Sequence, residues 1–187
     1  MKKLLVLFLF GFIFFSCEKN NEVLNRTGWQ SENGALFIIG DDGEHAFFTK
    51  DGIDFFGTIS EYQFTFKTNQ GDTHVDNFKI KQNKLIIGNT VYNKLEEGIG
   101  TDIEVGQGKE KQLDVADTSW ITDDRDFFGV TKNGNYGILI LKDDTECKGV
   151  ISGNLFTYVF IDGKLHTYQL SLYSNQLKFG RYSFRKL

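Results

Sequence analysis

The sequence predicts an all-β protein made of two tandem, small antiparallel β-meander or barrel-like repeats joined by a glycine-rich linker. Three observations lead to this prediction. The second half of the chain repeats the first, several stretches alternate between apolar and polar residues with the period of a strand, and no stretch after residue 23 keeps helical spacing for three turns. One joint barrel or sandwich built by both halves is the alternative architecture.

The duplication is visible when the chain is aligned with itself. Residues 57–95 align without a gap on residues 149–187, with 12 identical pairs in 39 positions. An offset shorter by one residue aligns Trp29 with Trp120, so we expect these two tryptophans to be equivalent structural core residues at the start of each repeat. The identical pairs include Gly57/Gly149, Phe64/Phe156 and His74/His166.

Strand and turn signals follow the same order in both halves. Residues 61–68 alternate aromatic and polar side chains, which predicts an antiparallel strand with one buried face. Residues 41–44 and 133–134 contain the Asp-Gly and Asn-Gly type of signal that favours a tight hairpin. These signals place repeat 1 at residues 24–95 and repeat 2 at residues 115–187.

The linker is predicted at residues 96–114. This stretch contains four glycines and many charged residues, and it has no aromatic residue. Such a composition offers little to bury and is typical of a connection between domains. A meander with this many turns tends to close into a barrel, because closure removes exposed strand edges.

Each repeat begins with a tryptophan, continues as a turn-marked meander and ends in Lys-Leu, at residues 94–95 and 186–187. This pattern resembles the lipocalin-like β domains of small bacterial lipoproteins. The resemblance implies a barrel, and it carries no catalytic motif.

The N-terminus has the layout of a secretory signal. Lys2 and Lys3 precede an apolar run at residues 4–15, and Ser16 stands directly before Cys17. Twelve residues are too few to cross a bilayer core of about 30 Å as a helix. The Ser-Cys end resembles the lipobox of bacterial lipoproteins, which implies acylation of the Cys17 thiol after cleavage. An ordinary signal peptide with a chance cysteine is the alternative.

These features predict a signal peptide at residues 1–16 and a flexible polar tether at residues 17–23. The protein is therefore expected in the cell envelope, held by its lipid, most simply in the outer membrane. Lys2 and Lys3 leave with the signal, so 19 basic and 25 acidic residues remain, a net charge of −6. A net-acidic chain without a basic block does not predict nucleic-acid binding.

Residues with catalytic or metal-binding potential are present but not in the required patterns. Paired carboxylates at residues 41–42, 96–97, 123–124 and 143–144 lie in turn or linker signals, where aspartate favours the backbone geometry. The three histidines show no metal-ligand spacing, and there is no nucleophile elbow. With Cys17 acylated, Cys147 has no disulfide partner and is expected to be a small apolar residue on a strand. The sequence predicts no catalytic residue, no metal and no cofactor.

The leading functional hypothesis is a non-enzymatic, lipid-anchored binding or interaction module of the cell envelope. Its partner would be a protein or a small apolar ligand. One alternative is an immunity- or inhibitor-type lipoprotein that captures a toxic enzyme. Another is a hydrolase acting on glycan or peptide, although the chain lacks a recognisable catalytic spacing.

Overall fold

The computed structural model describes residues 24–68, 70–98 and 113–187. These residues form strands and turns, without a helix. Residues 1–23, with the predicted signal peptide, Cys17 and the tether, lie outside the described residues, as do residues 99–112 of the predicted linker.

Repeat 1 is a closed barrel in which each strand pairs antiparallel with the next and the last pairs with the first. Its strands are β1 Thr27–Ser31, β2 Leu36–Ile39, β3 His45–Lys50, β4 Ile53–Ser60, β5 Gln63–Lys67, β6 Thr73–Lys81, β7 Lys84–Ile87 and β8 Thr90–Lys94.

Repeat 2 is an antiparallel sheet in the order β14-β13-β12-β11-β10-β9-β17-β16-β15. Only Leu170 separates β14 from β15, and these two strands together align with the single strand β6 of repeat 1. When β14 and β15 are counted as one strand, neighbouring strands follow one another in the same order in both repeats. Its strands are β9 Ser119–Ile121, β10 Phe127–Val130, β11 Tyr136–Ile140, β12 Glu146–Ser152, β13 Leu155–Val159, β14 Leu165–Gln169, β15 Ser171–Tyr173, β16 Gln176–Phe179 and β17 Tyr182–Lys186.

The predicted fold class is confirmed, because the chain forms two tandem barrel-like antiparallel sheets. The alternative of one joint barrel or sandwich is wrong, since the strands of each repeat pair only with one another, around their own cluster of buried side chains. Alternate residues of every strand point inward, as the period of two requires. An eight-stranded barrel has an interior just wide enough for side chains to fill.

Phenylalanine rings fill much of each interior. In repeat 1, Phe37 contacts Phe64 edge to face with ring centroids 5.1 Å apart. The equivalent rings of repeat 2, Phe128 and Phe156, have the same separation of 5.1 Å. Gly57 and Gly149 pair with Phe66 and Tyr158 of the neighbouring strands, and a side chain is excluded at both positions because a Cβ would lie 2.1 Å from a carbonyl oxygen of that strand. The identities in the alignment therefore coincide with packing constraints.

A third apolar cluster joins the repeats through their outer faces. Ile38 and Phe47 of repeat 1 pack against Val150 and Leu165 of repeat 2, and all four side chains are buried. Gly40 permits this approach, since a Cβ there would lie 2.2 Å from the Ser152 hydroxyl oxygen and 2.8 Å from the Val150 side chain. We call this contact between β1–β3 and β12–β14 the inter-repeat interface.

The first residues of the predicted linker also belong to this interface. The Leu165 amide donates to the Glu96 carbonyl at 2.9 Å, and the Gly98 amide donates to the Leu165 carbonyl at 2.6 Å. Glu97 forms a parallel bridge with Leu165. Residues 96–98 thus add a short paired segment to β14 and hold the end of repeat 1 against repeat 2.

Candidate functional site

A groove of about 310 Å³ opens beside the inter-repeat interface, between β4 of repeat 1 and the outer face of β9–β11 of repeat 2. We call it the inter-repeat groove. Clefts that combine apolar walls with a few polar groups and lie at domain interfaces are the usual location of binding sites. Its lining residues are Asp54, Phe56, Ser119, Phe127, Gly129, Val130, Thr131, Tyr136, Gly137, Ile138 and Lys148.

The walls are apolar because two strands of repeat 2 carry apolar residues on both faces. In β10 and β11, Phe128 and Leu139 point into the barrel, whereas Phe127 and Ile138 point outward and are only partly buried. The Phe127 ring lies over Gly129, where a Cβ would come within 2.9 Å of it. Covering a strand glycine with a neighbouring ring stabilises the local pairing.

Phe56 forms the opposite wall on repeat 1. It points outward from β4 and is 37% exposed, which places it among the most exposed large apolar residues of the described chain. Its ring centroid lies 4.5 Å from that of Tyr136 and 5.4 Å from that of Phe47. Phe56 therefore connects the groove to the inter-repeat interface as one continuous apolar surface.

Tyr136 lies at the base of the groove and ties the two repeats together. Its hydroxyl donates to the Gly57 carbonyl at 2.8 Å. Burial raises the pKa of Tyr136 well above its ordinary value of 10, so the hydroxyl stays protonated and remains a donor.

An ion pair borders the groove. The Lys148 ammonium lies 2.6 Å from Asp54 and 3.4 Å from Glu146. The hydrogen bond to Asp54 raises the pKa of Lys148, which keeps the pair charged. Both partners of the Asp54–Lys148 pair are about one third exposed or less, so water screens it only in part.

A polar chain lies on the other side of Tyr136. With His45 neutral, its Nδ1 donates to Asp42 at 2.8 Å and its Nε2 accepts from Asn135 Nδ2 at 2.8 Å. The hydrogen bond to Asp42 raises the pKa of His45 against the effect of burial. Burial raises the pKa of Asp42, but hydrogen bonds from His45 and Glu44 outweigh it, and the net direction is downward.

Two further cavities occupy equivalent places in the repeats. One of about 500 Å³ lies beside Ser31 and Glu32, and one of about 530 Å³ lies beside Thr122 and Asp123. Ser31 and Thr122 are aligned in the two repeats, and the hydroxyl of each forms a hydrogen bond within its own loop. Ser31 donates to the Ala35 carbonyl, and Thr122 accepts from the Asp126 amide. We therefore regard these cavities as surfaces of the β1–β2 and β9–β10 loops.

Trp29 and Trp120 lie at equivalent positions inside their barrels and are 2% and 1% exposed. The Trp29 Nε1 donates to Thr27 at 2.9 Å, and the Trp120 Nε1 donates to Thr118 at 2.8 Å. Each threonine in turn donates to a backbone carbonyl three residues earlier. Neither indole presents a face in the inter-repeat groove.

The other residues singled out in the sequence do not meet at one site. Cys147 is buried in repeat 2, where burial raises its pKa to about 11. His74 and His166 each stack on the equivalent ring, Phe66 at 5.8 Å and Tyr158 at 5.9 Å. The described residues contain no group of three or more His, Cys, Asp or Glu side chains that could hold a metal ion.

Sequence reasoning missed the inter-repeat groove, although a signal for it exists. Residues 136–140 read Tyr-Gly-Ile-Leu-Ile, a strand that is apolar on both faces where a solvent-facing strand would alternate. Such a strand indicates that something covers or docks on its outer face.

Comparison of the chain with protein-family models, with curated proteins and with solved structures finds no match. The class of protein is therefore defined by its architecture, a tandem pair of barrel-like antiparallel sheets joined through their outer faces. In the part of the chain that the structure describes, no helix has the length and apolar character needed to cross a membrane.

Proposed function

We propose that this chain is a non-catalytic binding module of the cell envelope and that the inter-repeat groove is its docking surface. The observation that carries the proposal is the groove itself, an apolar concavity at a domain interface with an ion pair at its border.

The occupant is expected in the groove and not inside a barrel. Phe37, Phe64 and Tyr92 are fully buried within repeat 1, and Phe128, Phe156 and Phe179 are fully buried within repeat 2. Rings that fill a barrel interior leave little room for an enclosed ligand. A protein partner therefore suits the surface better than a small apolar ligand held in a barrel interior.

The membrane part of the proposal depends on the sequence. A lipid on Cys17 would hold the protein at the envelope, with residues 17–23 as a tether, most simply at the outer membrane. An immunity- or inhibitor-type role is a special case of the same proposal, in which the groove captures a single toxic enzyme. A hydrolase role has less support, because the chain lacks a recognisable catalytic spacing and because Asp126, which lines the cavity beside Thr122, already accepts hydrogen bonds from the Thr122 hydroxyl and the Lys142 amide.

Photo-crosslinking tests the docking surface. The full chain is produced in its native cells with the photo-reactive residue p-benzoylphenylalanine at position 127 in the groove. The matched control carries it at Thr65, which is partly buried like Phe127 but lies on the outer face of repeat 1 away from the groove. A discrete adduct is expected from position 127 and not from position 65. Adding Ile138→Asp should abolish the adduct, because it places a charge at the centre of the apolar wall.

A melt of each variant shows whether it is folded. Equal crosslinking from both positions, or an adduct that persists in the folded Ile138→Asp variant, contradicts the groove as the docking surface.

The anchor is tested separately with Cys17→Ser, which should release the protein from membranes and abolish labelling by a palmitate analogue. Undiminished labelling would contradict acylation at Cys17.

A further inference from the structure

The inter-repeat groove has a counterpart in repeat 1 that is already occupied. In the alignment, Ile138 and Tyr136 of the groove match Phe47 and His45 of repeat 1, and Gly129 matches Ile38. Ile38 and Phe47 are the residues through which repeat 1 contacts repeat 2. The outer face of β9–β11, where the groove lies, is thus the structural equivalent of the outer face of β1–β3, which forms the inter-repeat interface.

The occupant of the repeat 1 face shows what chemistry such a face accepts. Val150 and Val159 project outward from β12 and β13 and pack with Leu165 of β14 against Ile38 and Phe47. The occupant is therefore the outer face of a neighbouring antiparallel sheet, and it presents branched aliphatic side chains. Flat pleated faces of this kind pack closely on one another.

The face in repeat 2 has kept its apolar character without a cover among the described residues. Phe127 and Ile138 are partly buried and line the open groove. The groove is also continuous with the inter-repeat interface, since Phe56 contacts both Tyr136 and Phe47. A partner seated there would extend an existing apolar contact.

The described residues of a second copy of this chain do not offer the matching surface. Repeat 1 has Thr58, Lys67 and Thr73 where repeat 2 has Val150, Val159 and Leu165, and all three are exposed. The aliphatic face of repeat 2 in a second copy is already covered by its own repeat 1. Neither outer face of the described residues therefore matches, which favours an occupant from another protein.

We infer that the groove docks the outer face of an antiparallel β-sheet in a different protein, which presents branched aliphatic side chains as Val150, Val159 and Leu165 do. This inference rests on the proposed function and adds the class of partner to it. Docking would bury Phe127, Ile138 and Phe56 in the manner in which Phe47 and Ile38 are buried now.

A grafted chain provides a defined probe for this partner class. The full chain with Thr58→Val, Lys67→Val and Thr73→Leu carries the aliphatic face on repeat 1, and Ile138→Asp in the same chain disables its own groove, so that this probe can bind only the groove of another chain. The control graft carries the same Ile138→Asp with Thr58→Ser, Lys67→Gln and Thr73→Ser. Sedimentation velocity of each probe mixed with the unmodified chain measures association.

The aliphatic probe is expected to form complexes with the unmodified chain at micromolar concentrations, and the control graft and the unmodified chain alone are expected to stay monomeric. Ile138→Asp in the receiving chain should weaken the complex by at least about tenfold. Absence of a complex, or equal binding to the Ile138→Asp chain, overturns the assigned partner class. Self-association of the unmodified chain through the groove would make a second copy the occupant and would overturn it too.

These results are separable from the proposed function. If the crosslink at position 127 is present but the aliphatic probe fails to bind, the groove is a docking surface for a partner of other chemistry. If the crosslink is absent as well, the proposed function itself fails.

Discussion

The two repeats place the same residues inside and different residues outside. Inside, Trp29 and Trp120 make the same indole-to-threonine bond, and Gly57 and Gly149 meet the same kind of carbonyl at 2.1 Å. Outside, Thr58 of repeat 1 is exposed, whereas its equivalent Val150 is completely buried at the inter-repeat interface.

The histidine pair shows the same contrast at one position. His74 and His166 stack on equivalent rings, yet His74 is exposed and His166 is 6% exposed and lies 3.0 Å from Asp162. The position that matches Asp162 in repeat 1 is Gln70. A barrel interior allows few alternatives in volume, whereas an outer face is free to change with what covers it.

The largest expected effect tests whether the interiors are equivalent. Trp29→Ala and Trp120→Ala should each lower the free energy of unfolding by about 3–5 kcal/mol, because each leaves a cavity in a barrel core. Both indoles should emit blue-shifted fluorescence and resist quenching by iodide. Melts followed by circular dichroism measure the cost, and a cost below about 0.5 kcal/mol for either variant would contradict a core role.

Gly57→Ala and Gly149→Ala test the backbone side of the same equivalence. Each added Cβ would lie 2.1 Å from a carbonyl oxygen, so the paired strands must separate. We expect a loss of about 1–3 kcal/mol for both variants in urea unfolding. Thr58→Ala, one residue further along β4 and exposed, is the control and should stay within about 0.5 kcal/mol. Very different costs at the two glycines would show that the barrels differ inside as well.

Tyr136→Phe tests the contact between the repeats. It removes the hydrogen bond to the Gly57 carbonyl and keeps the ring beside Phe56. The expected loss is about 0.5–1.5 kcal/mol in the free energy of unfolding. Tyr173→Phe, at a 62% exposed tyrosine, is the matched control and should be neutral. An unchanged melt of Tyr136→Phe would mean that the hydroxyl does not stabilise the joined state.

The smallest expected effect is a pH dependence from His45, which has no histidine counterpart in repeat 2. The pKa of His45 is raised from 6.5 in the folded chain. Its pairing with Asp42 therefore contributes its full stabilisation of the folded state below pH 6.5, and this contribution is lost as the pH rises through the raised pKa. The lowered pKa of Asp42 has the opposite sign, and its stabilisation is lost as the pH falls below 3.8 through the lowered value.

Urea unfolding of the unmodified chain and of His45→Gln measures this effect. The stability difference between the two chains should be larger at about pH 5 than at about pH 8.5, because His45 is more fully charged, and its pair with Asp42 stronger, at the lower pH. An identical difference at both pH values would show that protonation of His45 does not contribute to folding.

Several features could be predicted from the sequence because they depend on short-range rules. The alternation in residues 61–68 predicted a strand, and β5 occupies Gln63–Lys67. Residues 41–44 and 133–134 predicted turns, and Gly43 and Gly134 adopt φ values of 71° and 75°. A left-handed residue in a hairpin turn is a local requirement, so the residue type reveals it.

The inter-repeat groove could not be predicted in this way. It needs Phe56 and Phe127 on facing walls, and they are far apart in the sequence and belong to different sheets. The close contact between the repeats depends on Gly40. From the sequence alone Gly40 is a turn residue, but in the fold its missing side chain leaves the space that Ser152 and Val150 of repeat 2 occupy. Residues 96–98 were predicted as part of the linker. They pair with β14 because the contact between the repeats brings β14 beside the end of repeat 1.

The sequence by itself determined the duplication, the antiparallel meander of each repeat and, where one face is polar as in residues 61–68, which residues point inward, because a period of two and a set of turn residues act over a few positions. Only the tertiary structure decided which outer faces meet. Apolar outward residues occur in both repeats, and the choice of β1–β3 against β12–β14 depends on shape, on the small residue at Gly40 and on aliphatic side chains at Val150 and Leu165. Packing of two rigid faces is a property of their assembled surfaces, so it has no signature in any single stretch of the chain.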